Sequence, residues 1–207
     1  MKILTILGSY KKHGNTATVL KQFEDLISPL HLVERINLAD YTIHGCLGCG
    51  VCQGKIDEPG CVQKDDTTTI LDRILTADVV IYATPLYAWS FSALMKALID
   101  RQYCLTKWHS DQLANAFLAD KPTALLVTCA GPIEENADLI QVTFDRIINY
   151  THSHGVGKYI VPFCTTPDQL GDKADKTARA MFEDIMALET NQPKQLAVAG
   201  NGSRTNF

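Results

Sequence analysis

Positive charge is scarce in this chain. Its 207 residues carry 19 Lys and Arg against 23 Asp and Glu, a formal net charge of -4. Nucleic-acid binding needs a basic face that neutralises phosphates, so no nucleic-acid partner is expected. Long apolar runs are also missing. No stretch reaches the roughly 18 apolar residues of a membrane span, and none is expected. The start, Met1 to Lys12, has too short an apolar run for a secretory signal, because Gly8 and then Lys11 and Lys12 follow at once. A cytoplasmic location is the expectation. In that compartment the seven cysteines lean toward thiols or metal ligands rather than disulfides. Internal repeats, low-complexity tracts and a clear linker are absent as well. The remainder, 46% hydrophobic, suffices for one domain over residues 1–190. Residues 191–207 read as a polar tail, with at most a short element around Leu196–Val198.

What is present alternates regularly. Lys2–Leu7 is an apolar run that ends in Gly8-Ser9, a buried strand followed by a turn. Apolar residues at Ala17, Leu20, Phe23, Leu26 and Ile27 recur at helical spacing, which predicts a helix from Thr16 to Leu26. Leu30–Ile36, Asp78–Ala83, Thr123–Thr128 and Gly157–Cys164 read as further strands. Helices are predicted from Asp66 or Thr67 to Leu75, over Phe91–Gln102, Asn136–His152 and Leu170–Glu189, with Ser90 or Ser92 capping the second of these. Strands alternating with helices make a three-layer α-β-α sandwich around a five-stranded parallel sheet, and the order 2-1-3-4-5 fits. In such sheets ligands sit beyond the carboxyl ends of the strands.

The loops at that edge carry chemistry. Ser9 to Thr16 offers hydroxyls, Lys11 and Lys12, and the start of a helix, where free N–H groups receive an anion. A Walker A loop is ruled out, since five residues lie between Gly8 and Gly14 and Asn15 stands where the lysine belongs. The dinucleotide fingerprint G-x-G-x-x-G is missing too. A phosphate monoester at the helix start remains, against the alternative of an ordinary polar turn. Strand three ends in Thr84-Pro85-Leu86-Tyr87-Ala88-Trp89, whose aromatics suit a planar ligand or a neighbouring subunit. Strand four ends in Cys129-Ala130-Gly131-Pro132, a small turn that allows close backbone approach. Between these lies a row of thiols, Cys46-Leu-Gly-Cys49-Gly-Val-Cys52, followed by Cys61. Such a repeat converges on one small object, an iron-sulfur cluster or a metal ion. Cys104, Cys129 and Cys164 are isolated and read as small buried hydrophobes.

Taken together, Gly8-Ser9 through Gly14-Asn15-Thr16, the cysteine row with Asp65-Asp66, and Thr84-Pro85-Leu86-Tyr87 followed by Ser92-Ala93, Lys96 and Asp100-Arg101 resemble the NADPH-dependent FMN reductase and iron-sulfur flavoprotein group, over about residues 2–190. The resemblance implies a flavodoxin-like fold with bound FMN. It places the phosphate on Ser9, Lys11, Asn15 and Thr16, one side of the ring on Pro85, Leu86, Tyr87 and Trp89, and the other edge on Ala130 and Gly131. It implies electron transfer from NAD(P)H or ferredoxin to flavins, quinones or other small acceptors, in a homodimer or homotetramer. No catalytic acid or base is required, since the chemistry is the flavin's.

The same resemblance matches Cys46, Cys49, Cys52 and Cys61 to the ligands of a [4Fe-4S] cluster. The fourth departs from the pattern, because eight residues separate it from Cys52, longer than the usual gap. Reduced thiols without a cluster and a zinc ion stand beside the cluster as alternatives. Three functions follow: an FMN-dependent NAD(P)H oxidoreductase, an iron-sulfur electron-transfer protein between ferredoxin and an acceptor, and a non-enzymatic flavin-binding redox sensor. The segment Leu105–Asp120, with Trp108, His109 and Phe117, is expected to be a specificity element.

Overall fold

A computed structural model describes residues 1–191. Chain order is β1 (Lys2–Leu7), α1 (Asn15–Ile27), β2 (Leu32–Asn37), α2 (Thr67–Thr76), β3 (Val79–Pro85), α3 (Ala93–Arg101), β4 (Thr106–His109), β5 (Gln112–Ala116), β6 (Pro122–Thr128), α4 (Asp138–Thr151), β7 (His154–Val161) and α5 (Lys173–Asn191). The five-stranded sheet runs β2-β1-β3-β6-β7, every neighbouring pair parallel. This is the expected order 2-1-3-4-5, with β6 and β7 as fourth and fifth strands. The fold is flavodoxin-like. Beyond Asn191 the expected tail and its Leu196–Val198 element lie outside the described residues. Among the described residues no helix is long and apolar enough to cross a membrane.

The continuous apolar strands are buried on both faces, as parallel strands covered by helices must be. Ile3 and Leu7 of β1 face Leu20, Phe23 and Ile27 of α1 and Met181 and Ile185 of α5. Leu4 and Ile6 face the opposite layer, with Ile70 and Ile74 of α2, Met95 and Leu98 of α3, and Ile140 and Phe144 of α4. Gly8 closes β1 where α3 comes in. A Cβ there would meet Met95 Cβ at 2.8 Å. Ser92 Oγ donates to the Gly8 carbonyl at 2.6 Å and accepts the Met95 N–H at 3.2 Å, so Ser92 is the α3 cap.

Besides shifts of a few residues at several element ends, three features differ from expectation. The last strand is His154–Val161 rather than Gly157–Cys164. Gly155 and Gly157 weaken the strand pattern at its start, and Pro162, without an N–H, ends the ladder. Asp66 does not cap α2: its carboxylate accepts the Thr42 N–H at 2.7 Å, and Asp65 Oδ1 accepts the Thr67 N–H at 3.1 Å instead. Residues Leu105–Asp120 contain an antiparallel hairpin, β4 with β5, turned at Ser110 and Asp111, both at positive φ (48° and 63°). Short strands and a Ser-Asp turn, where Asn-Gly is favoured, hid it.

The cysteine loop between β2 and α2 is closed at its neck. Asp66 N–H donates to the Thr42 carbonyl at 3.0 Å, reciprocating the Thr42 to Asp66 bond. Inside the loop, Arg101 at the end of α3 and Asp65 form an ion pair at 2.7 Å, with side chains 1% and 0% exposed. Arg101 also donates to the His44 carbonyl at 3.0 Å. Burial pushes the Asp65 carboxyl up, yet hydrogen bonds from Arg101 and from the His44 and Thr67 N–H groups hold it well below the usual carboxylate range. A depressed folded-state value means that the stability from this pair is fully present above about pH 4 and is lost progressively as pH falls below it. Asp65→Asn is expected to cost about 3–5 kcal/mol by stranding a buried guanidinium and to remove this group's share of the acid dependence. Urea titrations between pH 3 and pH 7 measure both.

Candidate functional site

The carboxyl edge of the sheet holds a cleft of about 330 Å³. One wall is the turn into α1. Gly14, at the N-cap position, provides no side-chain cap, and the first turn carries no acidic residue. The helix N-terminus therefore presents open N–H groups to the cleft. Ser9 Oγ accepts the Lys11 N–H at 3.1 Å and shapes the loop. Lys11 is exposed and has no ion-pair partner among the described residues, whereas Lys12 pairs with Asp40. Thr16 and Thr128 join hydroxyls at 2.6 Å across the cleft floor. Asn15 Nδ2 donates to the Cys164 carbonyl at 2.9 Å, which leaves its buried Oδ1 without a partner. That orphan is an acceptor, so it suits a ligand hydroxyl rather than a phosphate oxygen.

Pro85, Leu86 and Tyr87 form the second wall, and Ala130 with Thr128 and Cys129 the third. Trp89 and Gly131 stand outside the cleft lining: Trp89 is 58% exposed, and the Gly131 carbonyl accepts the Phe163 N–H at 3.3 Å. Sequence reading missed Thr128 and the Cys164–Pro167 turn that completes the cleft. The misplaced end of β7 concealed that turn; the rule that every strand's carboxyl end faces the ligand edge would have found it. Tyr87 and Ser90 exchange backbone hydrogen bonds of 3.1 and 3.0 Å around Ala88 and Trp89. Both central residues have positive φ, 48° and 59°. Glycine or asparagine normally fills such a turn, so this rim stores strain.

The cysteines lie on the α2–α3 side of the sheet. Cys46, Cys49, Cys52 and Cys61 border one small space of about 20 Å³, together with Arg101 and Cys104. Cys46 and Cys49 are exposed, Cys52 is buried and Cys61 is half-buried. Arg101 Nη2 lies 3.3 Å from Cys61 Sγ. Cys104 is thus not isolated. Burial and then neighbouring Cys52 and Cys61 push its thiol up to about 12. Burial likewise pushes Cys129 up to about 11 and raises Cys164. These three stay thiols at neutral pH. Lys107 of the hairpin is fully buried beside Cys52. Burial pulls its ammonium below the ordinary lysine value, against the opposing influence of Cys52 and Cys104.

Among the described residues no three His, Cys, Asp or Glu side chains converge to hold one metal ion. Tetrahedral zinc needs all four sulfurs at about 2.3 Å from one point. A [4Fe-4S] cluster binds each thiolate to a different iron and so takes more widely spaced sulfurs. Four thiols border one space here, without the converged geometry of a bound zinc ion. A larger cavity, about 700 Å³, lies beyond Cys46 between α3 and α4, walled by Ile99, Tyr103, Ile147 and Tyr150. It lacks the open helix N-terminus that marks the smaller cleft.

A doubly wound parallel sheet of this order, with a cleft at its carboxyl edge, defines a flavodoxin-like protein. The sequence profile described as NADPH-dependent FMN reductase matches residues 1–144. The chain belongs to that family, a group of FMN-binding oxidoreductases. It is 31% identical over 186 residues to a protein of Archaeoglobus fulgidus named iron-sulfur flavoprotein, covering 89% of this chain and 79% of the relative. The structure of Smu.1420 from Streptococcus mutans UA159 superposes with a TM-score of 0.72 at 16% identity, covering 88% of this chain and all (100%) of that one. An FMN-dependent NADH-azoreductase from Bacillus anthracis, solved in complex with FMN, gives 0.63 at 14% identity, over 89% and 99% of the two chains.

Replacing Ala88 with Asn and Trp89 with Gly is expected to raise the unfolding free energy by about 1 kcal/mol, because left-handed backbone then costs less. Urea midpoints of the FMN-free protein check this; an unchanged midpoint would show the rim to be unstrained.

Proposed function

We propose that this protein is an FMN-dependent oxidoreductase in which Cys46, Cys49, Cys52 and Cys61 hold a [4Fe-4S] cluster. In this reading it passes single electrons between a ferredoxin-type donor and a small acceptor such as a flavin or quinone. The observation that carries it is the charge around the cysteines. Arg101 and Lys107 are both buried there, and among the described residues Asp65 is the one buried carboxylate that pairs with either. One positive charge is left over, which thiolates or an anionic cluster would offset. The resemblance to a relative named for both cofactors supports the same reading.

In this proposal the open N–H groups at the start of α1 and Lys11 hold the FMN phosphate, with Ser9 and Thr16 fixing the loop. Asn15 Oδ1 accepts from a hydroxyl of the ribityl chain. Pro85, Leu86 and Tyr87 flank the ring and Ala130 borders the other edge, while Trp89 and Gly131 stand outside that lining. Bound FMN supplies both one-electron and hydride chemistry. The chain's part is to orient the ring and leave one side open. Tyr87 and Trp89, 55% and 58% exposed, leave that side to solvent. This openness favours a second reading, direct reduction by NAD(P)H with the nicotinamide stacked on the ring. The exposed apolar side chains Leu139 and Val142 of α4 support a homodimer or homotetramer. A cytoplasmic location belongs to the same reading.

Anaerobic purification followed by flavin, iron and sulfide assays tests the proposal. One FMN and one [4Fe-4S] cluster per chain are expected, with flavin bands over a broad brown shoulder. A yellow, iron-free protein bleached by NADPH or NADH would select the second reading. Failure to take up flavin would reject both. Lys11→Ala is expected to weaken FMN about tenfold and leave riboflavin unchanged, since only FMN carries the phosphate; calorimetric titration with each ligand checks it.

A further inference from the structure

The gap that sets the fourth cysteine apart has a counterpart elsewhere in the fold. Eight residues lie between Cys52 and Cys61, and the β4–β5 hairpin packs against them rather than against the flavin-edge cleft. Lys107 Nζ donates to the Cys52 carbonyl at 2.8 Å and to the Pro59 carbonyl at 2.9 Å. One ammonium thus bridges the two ends of the insertion. Asn115 Nδ2 donates to the Ile56 carbonyl at 3.0 Å, at the insertion's midpoint. Gln53 completes the seam: its Nε2 donates to the Thr106 carbonyl at 3.1 Å, and its Oε1 accepts the Trp108 N–H at 3.0 Å.

Lys107 is 0% exposed and forms no salt bridge among the described residues; the Phe117 ring lies 5.8 Å from Nζ, and the carboxylate acting on it, Glu58, is exposed and already paired with Lys55. A buried ammonium held only by carbonyls and a ring is costly. A neutral donor would close a loop at a smaller penalty. The charge is explained if an anionic group belongs beside it.

We propose that Lys107 is the positioning residue for the fourth ligand: it closes the long Cys52–Cys61 insertion, returns Cys61 to the other three thiols, and offsets their charge. The hairpin is then a brace for the cysteine site. This inference rests on the cluster reading for its ligand, and on the geometry alone for the closure of the loop.

The experiment compares wild type, Lys107→Met and Asn115→Ala. In iron-free protein, Cys61 alkylation is followed by peptide mass spectrometry. Without the bridge, Cys61 is expected to react about tenfold faster, with Cys46 unchanged. In protein reconstituted anaerobically with iron and sulfide, Lys107→Met is expected to lose iron to a chelator about tenfold more readily at unchanged FMN content. Its cluster potential is expected to fall, because a positive charge that favours the reduced form is gone. Should Lys107→Met fail to bind FMN, Asn115→Ala decides by the same alkylation readout, with a smaller increase expected. If wild type holds no iron, the cluster reading fails separately, and alkylation still decides the closure. Cys61 reacting no faster in a folded variant overturns the proposal, as does an unchanged potential in a Lys107→Met protein that carries a cluster.

Discussion

The buried pair of Arg101 and Asp65 is the constraint on which the cysteine side of the molecule depends. It joins the last turn of α3 to the chain just ahead of α2, two elements that the sheet would otherwise leave to separate loops. Asp65 also accepts the His44 and Thr67 N–H groups, and Arg101 reaches the His44 carbonyl and Cys61. A single desolvated carboxylate therefore sets the start of a helix, the entry to the cysteine row and the surroundings of the last cysteine. Pairs of this kind contribute little relative to apolar packing, but they are costly to break and they define one geometry.

The two candidate sites occupy different positions relative to the sheet. The cleft uses what every parallel α/β sheet offers, strand ends and a helix N-terminus, and its polar groups are mostly backbone. The cysteine site uses none of this. It is built from a loop following the edge strand β2, a helix end and a hairpin, all linked by side-chain bonds. The first site is thus supported by topology, the second by a small number of buried cations.

This difference explains what the sequence made legible. Lys2–Leu7 and the strand ending at Thr128 were readable because a strand buried on both faces is continuously apolar. The loop from Ser9 to Thr16 was readable because Gly8, Gly14 and the following helix mark it locally. Lys107 was not. A lysine between Thr106 and Trp108 looks solvated until the Cys52 and Pro59 carbonyls, 55 and 48 residues away, close over it. The pairing of Arg101 with Asp65 spans 36 residues and leaves no periodic trace. Thr165 and Thr166 were hidden for a simpler reason, since the strand before them was read three residues too far.

The reciprocal bonds between Thr42 and Asp66 give the cysteine segment a closed base. A segment closed in this way is a cassette. Its two ends already meet, but Asp65, which sets the start of α2, and Cys52, part of the core, lie between them. Arg101 and Lys107 are what the receiving fold adds to accommodate it. Whatever the four thiols hold, their segment is tied to the fold through these two buried cations and not through the flavin edge of the sheet.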